Sequence, residues 1–297
     1  MDLSPRARLM LLLLAGLLAA GCTPRPAPAG TVAVVATIYP LAAFAERIGG
    51  ERVTVRTLIP PGVAAHDYEP TPRDLVALGR ARVFIYNGAG FEPWAQRVLA
   101  QLPAEVARVE ATAGLPLVRT PRGVDPHVWL DPVLAGQQSE RIERGMAGAD
   151  PAGRGIYAAN AAGWRADLAA LDRAYREGLA GCRRKEFITA HAAFGYLARR
   201  YGLRLIAISD LAPEAEPSPA RIRMIVEEAR RAGVRVIFLE PRGERRVAEA
   251  IAREIGARLA VLNPLESLTA AEQQAGKNYL TVMYANRDEL IRALDCR

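Results

Sequence analysis

Pro151-Ala-Gly-Arg-Gly-Ile-Tyr-Ala-Ala-Asn-Ala-Ala-Gly-Trp-Arg-Ala-Asp-Leu-Ala-Ala-Leu-Asp-Arg-Ala-Tyr-Arg-Glu-Gly-Leu179 reads as one helix. Pro151 follows Asp150, and a proline with its fixed φ suits the first turn of a helix. Tyr157, Ala161, Trp164, Leu168, Leu171 and Tyr175 then recur on a 3.6-residue beat as far as about Leu179. A helix of about 28 residues is about 40 Å long at about 1.5 Å per residue. That is more than one layer of a compact domain spans, so the stretch 149–180 reads as a backbone helix linking two domains. From Val133 onward the preceding sequence is Ala-rich and offers no strand candidate.

On both sides of this helix, strands and helices alternate. Before it, residues 31–39 (TVAVVATIY) and 53–59 (VTVRTLI) are β-branched runs, and 83–86 (VFIY) is a short apolar run. Helical spacing fills 41–48 and 74–79 between them. After it, strand candidates fall at 187–190, 204–208, 234–239 and 259–262, with helices at 221–233, 247–256 and 279–294. Continuous apolar strands alternating with helices indicate parallel sheets covered on both faces. The expected fold is therefore α/β: two lobes with mainly parallel sheets flanked by helices, joined by one long backbone helix. The lobes are expected at 31–148 and 181–297, with 149–180 between them.

The 297 residues suit two domains, and with 51% hydrophobic and 24% charged residues the composition is that of a folded globular protein. The net charge of +7 comes from arginines scattered through amphipathic helices beside glutamates, as in Arg223-Met-Ile-Val-Glu-Glu-Ala-Arg-Arg231, so no nucleic-acid partner is expected. The N-terminus is a targeting segment. Arg6 and Arg8 precede an apolar run at 9–18, and Ala19-Ala20-Gly21 leads to Cys22. This reads as a bacterial lipoprotein signal over 1–21, with Cys22 lipidated and 22–30 a Pro/Ala-rich tether; an ordinary cleaved signal peptide is the alternative. The protein is then exported, to the periplasm or cell surface, and touches the membrane only through its N-terminal lipid. The two remaining cysteines, Cys182 and Cys296, read as one disulfide in that compartment, with two free thiols as the alternative.

The chain has only three histidines: His66, His127 and His191. His66 follows a predicted strand and Pro60-Pro-Gly62; His127 lies in Asp125-Pro-His-Val-Trp-Leu-Asp-Pro132; His191 follows the strand candidate at 187–190. Glu266 lies past the last strand candidate, in Asn263-Pro-Leu-Glu266. In α/β sheets the carboxyl ends of strands are where ligands bind. Two candidates come from each half, which places them in a cleft between domains. Three imidazoles and a carboxylate suit a borderline cation such as Zn2+. Asp125 and Asp131 flank His127, and either can anchor its second ring nitrogen.

Nine stretches stand out in order along the chain: Thr37-Ile-Tyr-Pro40, Ile59-Pro-Pro-Gly62, His66-Asp-Tyr-Glu-Pro-Thr-Pro72, Asn87-Gly-Ala-Gly-Phe-Glu92, Asp125-Pro-His-Val-Trp-Leu-Asp-Pro132, Thr189-Ala-His-Ala-Ala-Phe-Gly-Tyr196, Glu214-Ala-Glu-Pro-Ser-Pro219, Phe238-Leu-Glu-Pro241 and Asn263-Pro-Leu-Glu266. Together they resemble the metal-binding solute receptors of bacterial ABC importers for zinc and manganese. The resemblance implies two α/β lobes bridged by a long helix, with a metal between them. It implies that His66, His127 and His191 are the first three ligands. Manganese receptors of this kind generally carry Glu at the third position, so His191 argues for zinc. The fourth place is Asp in many members, where this chain has Asn263; others use the Glu that corresponds to Glu266, which is the better zinc donor. The stretch 111–124 holds no histidine, so a His-rich metal-gathering loop is absent there.

The implied function is capture of Zn2+ outside the cytoplasmic membrane by a monomeric receptor, not an enzyme, and delivery to a membrane permease, with a metallochaperone as a further partner. The alternatives are a manganese receptor of the same family and a zinc hydrolase, with Asp67 or Glu69 as general base. No His-Glu-x-x-His motif supports the hydrolase.

Overall fold

Residues 32–36 form the inner strand around which the first sheet is built. The computed structural model describes residues 30–121, 123–211, 217–241 and 245–297. The signal segment, Cys22 and most of the tether lie outside the described residues, as does Glu214-Ala-Glu216 of the acidic stretch.

The first sheet contains β1 (Val32–Ala36), β2 (Val53–Thr57), β3 (Val83–Tyr86) and β4 (Ala107–Glu110), in the order β2-β1-β3-β4. All its pairings are parallel. Every residue of inner strand β3 is buried, whereas edge strand β2 has no fully buried residue. That contrast is why 83–86 reads as a continuous apolar run. β1 stops at Ala36, short of the expected Tyr39, because Tyr39 and Pro40 open the helix Tyr39–Gly49. Edge strand β4 escapes sequence reading because Ala107-Arg-Val-Glu110 has only Val109 buried. The helix Ala95–Leu99 and the two-residue antiparallel pair β5 (Arg119–Thr120) and β6 (Gly123–Val124) are also additions to the expected elements.

The second sheet contains β7 (Glu186–Thr189), β8 (Arg204–Ala207), β9 (Val236–Leu239) and β10 (Arg258–Val261), in the order β10-β9-β7-β8 and again all parallel. Helices Pro219–Arg231 and Arg246–Ile255 pack on one face through Ile225, Ala229, Ala248 and Ile251. The helix Tyr279–Leu294 covers the other face through Val282, Met283 and Leu290.

The Ala-rich stretch folds as two helices with an elbow between them. Asp131 caps the first, Pro132–Ala149. A single 3-10 turn, Pro151–Gly153, then leads into Arg154–Ala180, so the long helix starts three residues after Pro151 and runs for 27 residues. At the elbow Asp150 accepts from Arg52 Nε at 2.6 Å, Arg52 Nη2 at 2.8 Å and Tyr157 Oη at 2.6 Å. Gly153 leaves room for this network, since a Cβ would lie 2.4 Å from Asp150 Oδ2 and 2.6 Å from Arg52 Nε and these side chains would have to shift.

The buried face of the long helix is Tyr157, Ala161, Trp164, Leu168, Leu171, Tyr175 and Leu179, the stripe read from its periodicity. Its N-terminal half packs on the first half of the chain: Trp164 lies against Phe44 and donates to Ser139 Oγ at 2.9 Å. Its C-terminal half packs on the second: Tyr175 donates to Met283 O at 2.7 Å and stacks on Tyr201. One apolar core therefore runs from β1 and β3 along this helix to Phe187 and Phe238, and residues Val32–Arg297 form one compact unit. Cys182 and Cys296 are disulfide-bonded, closing the end of the long helix onto the C-terminus. No helix among the described residues is long and apolar enough to cross a membrane.

Candidate metal centre

All four singled-out donors sit at the carboxyl ends of strands or in loops beside them. His66 comes after β2, His191 two residues after β7, and Glu266 after β10. His127 lies between β6 and the 3-10 turn Val128–Leu130. One donor atom from each of His66, His127, His191 and Glu266 can be chosen so that all lie within 4.8 Å of one another. His127 Nε2 is 3.3 Å from His66 Nε2. Glu266 Oε1 is 3.7 Å from both of these nitrogens and 3.5 Å from His191 Nε2. A tetrahedral ion with bonds of about 2.0–2.1 Å holds its donors roughly 3.3 Å apart, so the cluster has nearly the dimensions such an ion needs. His191 Nε2 and Glu266 Oε1 are buried without a hydrogen-bond partner, an arrangement that is costly unless something binds between them.

Outer partners fix the rings. Asp125 Oδ1 accepts from His127 N at 3.0 Å and from His127 Nδ1 at 2.9 Å. A carboxylate only accepts, so Nδ1 keeps a proton and Nε2 is the nitrogen turned to the cluster, its lone pair free whenever the ring is neutral. Glu240 does the same for His191 Nδ1. Sequence reading gave Glu240 no role beyond its place in Phe238-Leu-Glu-Pro241, just past the strand candidate at 234–239; its position at the carboxyl end of β9, next to β7, is the signal that marks it. Asp131, expected beside Asp125 as a partner of His127, is used elsewhere. It accepts from Val133 N at 2.8 Å and Leu134 N at 3.3 Å, capping the following helix, and lies 3.3 Å from Arg200 Nε. An aspartate immediately before Pro132 is in the N-cap position, and that local demand takes its side chain.

The electrostatics favour positive charge at the centre. Burial pushes the Glu266 carboxyl up, but the facing imidazoles of His127, His191 and His66 outweigh it and hold the group well below the usual carboxylate range. Burial pulls His191 down, yet Glu240 and then Glu266 reverse this and raise it to about 10. His127 is likewise raised, because Asp125 and Glu266 outweigh its burial. The pocket thus stabilises cationic charge, carried by protons on imidazoles or by a metal in their place.

Buried polar residues hold the loops in register. Glu92 accepts from Thr37 Oγ1 at 2.6 Å, Asn87 N at 2.8 Å and Gly88 N at 2.9 Å. This fixes the turn that lays Phe91 against the His66 ring, centroids 4.5 Å apart. Burial raises the Glu92 carboxyl to about 7 despite these bonds. Asn87 donates to Pro126 O at 3.0 Å and accepts from Gln138, tying down the His127 loop. On the other side Asn263 Oδ1 accepts from Leu265 N at 2.8 Å, and the turn puts Leu265 at φ 61° immediately before Glu266. Asn263 is therefore engaged within its own loop.

Residues 34–293 match the model of the family described as zinc-uptake complex component A, periplasmic (ZnuA). The chain is 36% identical over 275 residues to the high-affinity zinc uptake system protein ZnuA of Bacillus subtilis, covering 86% of each chain. It is 34% identical over 305 residues to the zinc-binding lipoprotein AdcA of Streptococcus pneumoniae; the match takes in 97% of this chain but only 60% of that longer protein. The structure is similar to that of the Zn(II)-bound ZnuA-like domain of the Streptococcus pneumoniae AdcA, with TM-score 0.80, 36% identity, and coverage of 90% of this chain and 100% of that one.

Proposed function

Since this chain belongs to the ZnuA family of periplasmic zinc-uptake components, we propose that it is the zinc receptor of an ABC importer, holding Zn2+ on His66, His127, His191 and Glu266. The observation that carries this reading is the convergence of those four donors, with the atoms His191 Nε2 and Glu266 Oε1 buried and otherwise unpartnered. Three neutral imidazoles and one carboxylate leave one positive charge on the complex, which the Asp125 and Glu240 carboxylates beside the rings offset. Four protein ligands close the coordination shell, as suits a carrier that must bind an ion and leave it unreacted. Glu69, one general base that a hydrolase would need, instead pairs with Arg97 at the surface, 2.5 Å away. Imidazole at His191 favours zinc over manganese.

The two sheets are read as the cores of lobes at 31–148 and 181–297, with the 149–180 segment between them. The apolar core they share along the long helix supports small loop movements on binding rather than a wide hinge. The same proposal includes a membrane permease as the partner, with the receptor working as a monomer outside the cytoplasmic membrane and held there by a lipid on Cys22.

The test is titration of metal-stripped protein with Zn2+ and Mn2+, for wild type, His191→Ala and Glu266→Ala, with Co2+ absorption as a report of coordination number. One tight zinc equivalent, weak manganese binding, a four-coordinate cobalt spectrum and loss of tight binding in both variants are expected. Tight manganese binding would overturn the choice of metal, and unaltered zinc affinity in Glu266→Ala would move the fourth place elsewhere.

A further inference from the structure

The four donors differ in how deeply they lie. His127 and His191 side chains are 0% and 2% exposed, His66 10%, and Glu266 18%. Glu240 is also 18% exposed. These two glutamates line a cleft of about 200 Å³ whose remaining wall is the 62–64 loop on one side and the 263–267 loop on the other. Among the described residues, no Lys, Arg or His lines it. Glu266, a donor of the cluster, is also part of the cleft's lining, so the cleft adjoins the cluster on its Glu266 side and presents carboxylates where the deeper donors are imidazoles. Gly62, at φ 87°, turns the first loop, and Val63 stands at its rim, 43% exposed although apolar.

We propose that this cleft is the route by which the metal enters and leaves, and that Glu240 is its charged guide as well as the anchor of His191. The inference rests on the zinc-receptor reading above. A hydrated divalent cation is drawn to a low-dielectric cleft lined by one sign of charge, which raises the association rate in a salt-dependent way. One carboxylate thus does two things: its oxygen on His191 Nδ1 keeps the Nε2 lone pair free for the metal, and its charge attracts the incoming ion. The two roles separate experimentally, because a glutamine carbonyl still accepts from His191 Nδ1 but carries no charge.

The experiment is stopped-flow association of Zn2+ and chelator-driven release, at low and high ionic strength, for wild type, Glu240→Gln, Glu240→Ala and Val63→Trp. Glu240→Gln is expected to slow association about fivefold at low salt, with the difference shrinking at high salt, and to speed release less than Glu240→Ala does. Glu240→Ala is expected to slow association similarly and also speed release, since His191 loses its anchor. Val63→Trp, which narrows the mouth without touching a donor, should slow both rates by similar factors. The guide role is overturned if Glu240→Gln associates like wild type with the same salt dependence, and the route is overturned if Val63→Trp alters neither rate. These results require a wild type that binds zinc tightly; a wild type that does not bind it removes the receptor reading and this inference together.

Discussion

Trp129 donates its indole N–H to the carbonyl of Pro264 at 2.8 Å, across 135 residues of sequence. Trp129 lies two residues past His127 and Pro264 two residues before Glu266, so this bond couples the loops of two donors from opposite halves of the chain. Tyr279 adds to it by donating to Trp129 O at 2.5 Å. Trp129→Phe keeps most of the ring packing but leaves the buried Pro264 carbonyl without its donor, which costs about 1–3 kcal/mol. The expected outcome is a loss of that size in urea denaturation of metal-free protein, together with weaker zinc binding. Unchanged zinc affinity would show that the two loops are held in register by other contacts.

Asp125 and Asp131 flank the same histidine but are expected to behave oppositely. Asp125→Ala removes the acceptor on His127 Nδ1 and should weaken zinc binding by roughly 10–100-fold. Asp131→Ala removes a helix cap and should cost about 1 kcal/mol of stability with zinc affinity close to wild type. Isothermal titration and thermal denaturation of both variants separate the two roles.

The elbow before the long helix predicts an acid limb in stability. Hydrogen bonding to Arg52, reinforced by Tyr157, lowers the Asp150 carboxyl from 3.8 to about 2. Because the folded-state value is the lower one, Asp150 contributes stability above about pH 4 and loses it as pH falls toward 2. Asp150→Asn should be less stable than wild type at neutral pH, and the gap should close between pH 4 and 2. A gap that persists unchanged at pH 2 would mean the carboxylate charge is not its source. Denaturant titrations over that range measure it.

Reduction of Cys182–Cys296 opens a link between positions 114 residues apart. Removing a native disulfide of an exported domain typically costs about 2–5 kcal/mol. Cys182→Ser with Cys296→Ser should therefore lower the unfolding free energy by that amount, seen as a lower denaturation midpoint. Zinc binding by the folded fraction should persist, since neither cysteine is among the donors that converge.

Much of this protein is written in local sequence patterns. The seven-residue stripe from Tyr157 to Leu179 appears unaltered as the buried face of the long helix, because a 3.6-residue period has only one way to bury its apolar side. The continuous run Val83–Tyr86 became a wholly buried inner strand. Edge strand β4 was not legible, because an edge strand needs little apolar surface of its own. The scarcity of histidine makes His66, His127 and His191 candidates from the sequence alone.

Only the tertiary structure decided which neighbours serve the site. Sequence placed Asp125 and Asp131 on equal terms beside His127; the fold gave one to the imidazole and the other to a helix cap. It brought Glu240 onto His191 from 49 residues away, and it engaged Asn263 within its own turn while leaving Glu266 facing the histidines. Periodicity and composition record what each segment buries. The direction of a short polar side chain depends on which hydrogen-bond partner the assembled fold brings within about 3 Å, and that is settled only once the two halves have packed.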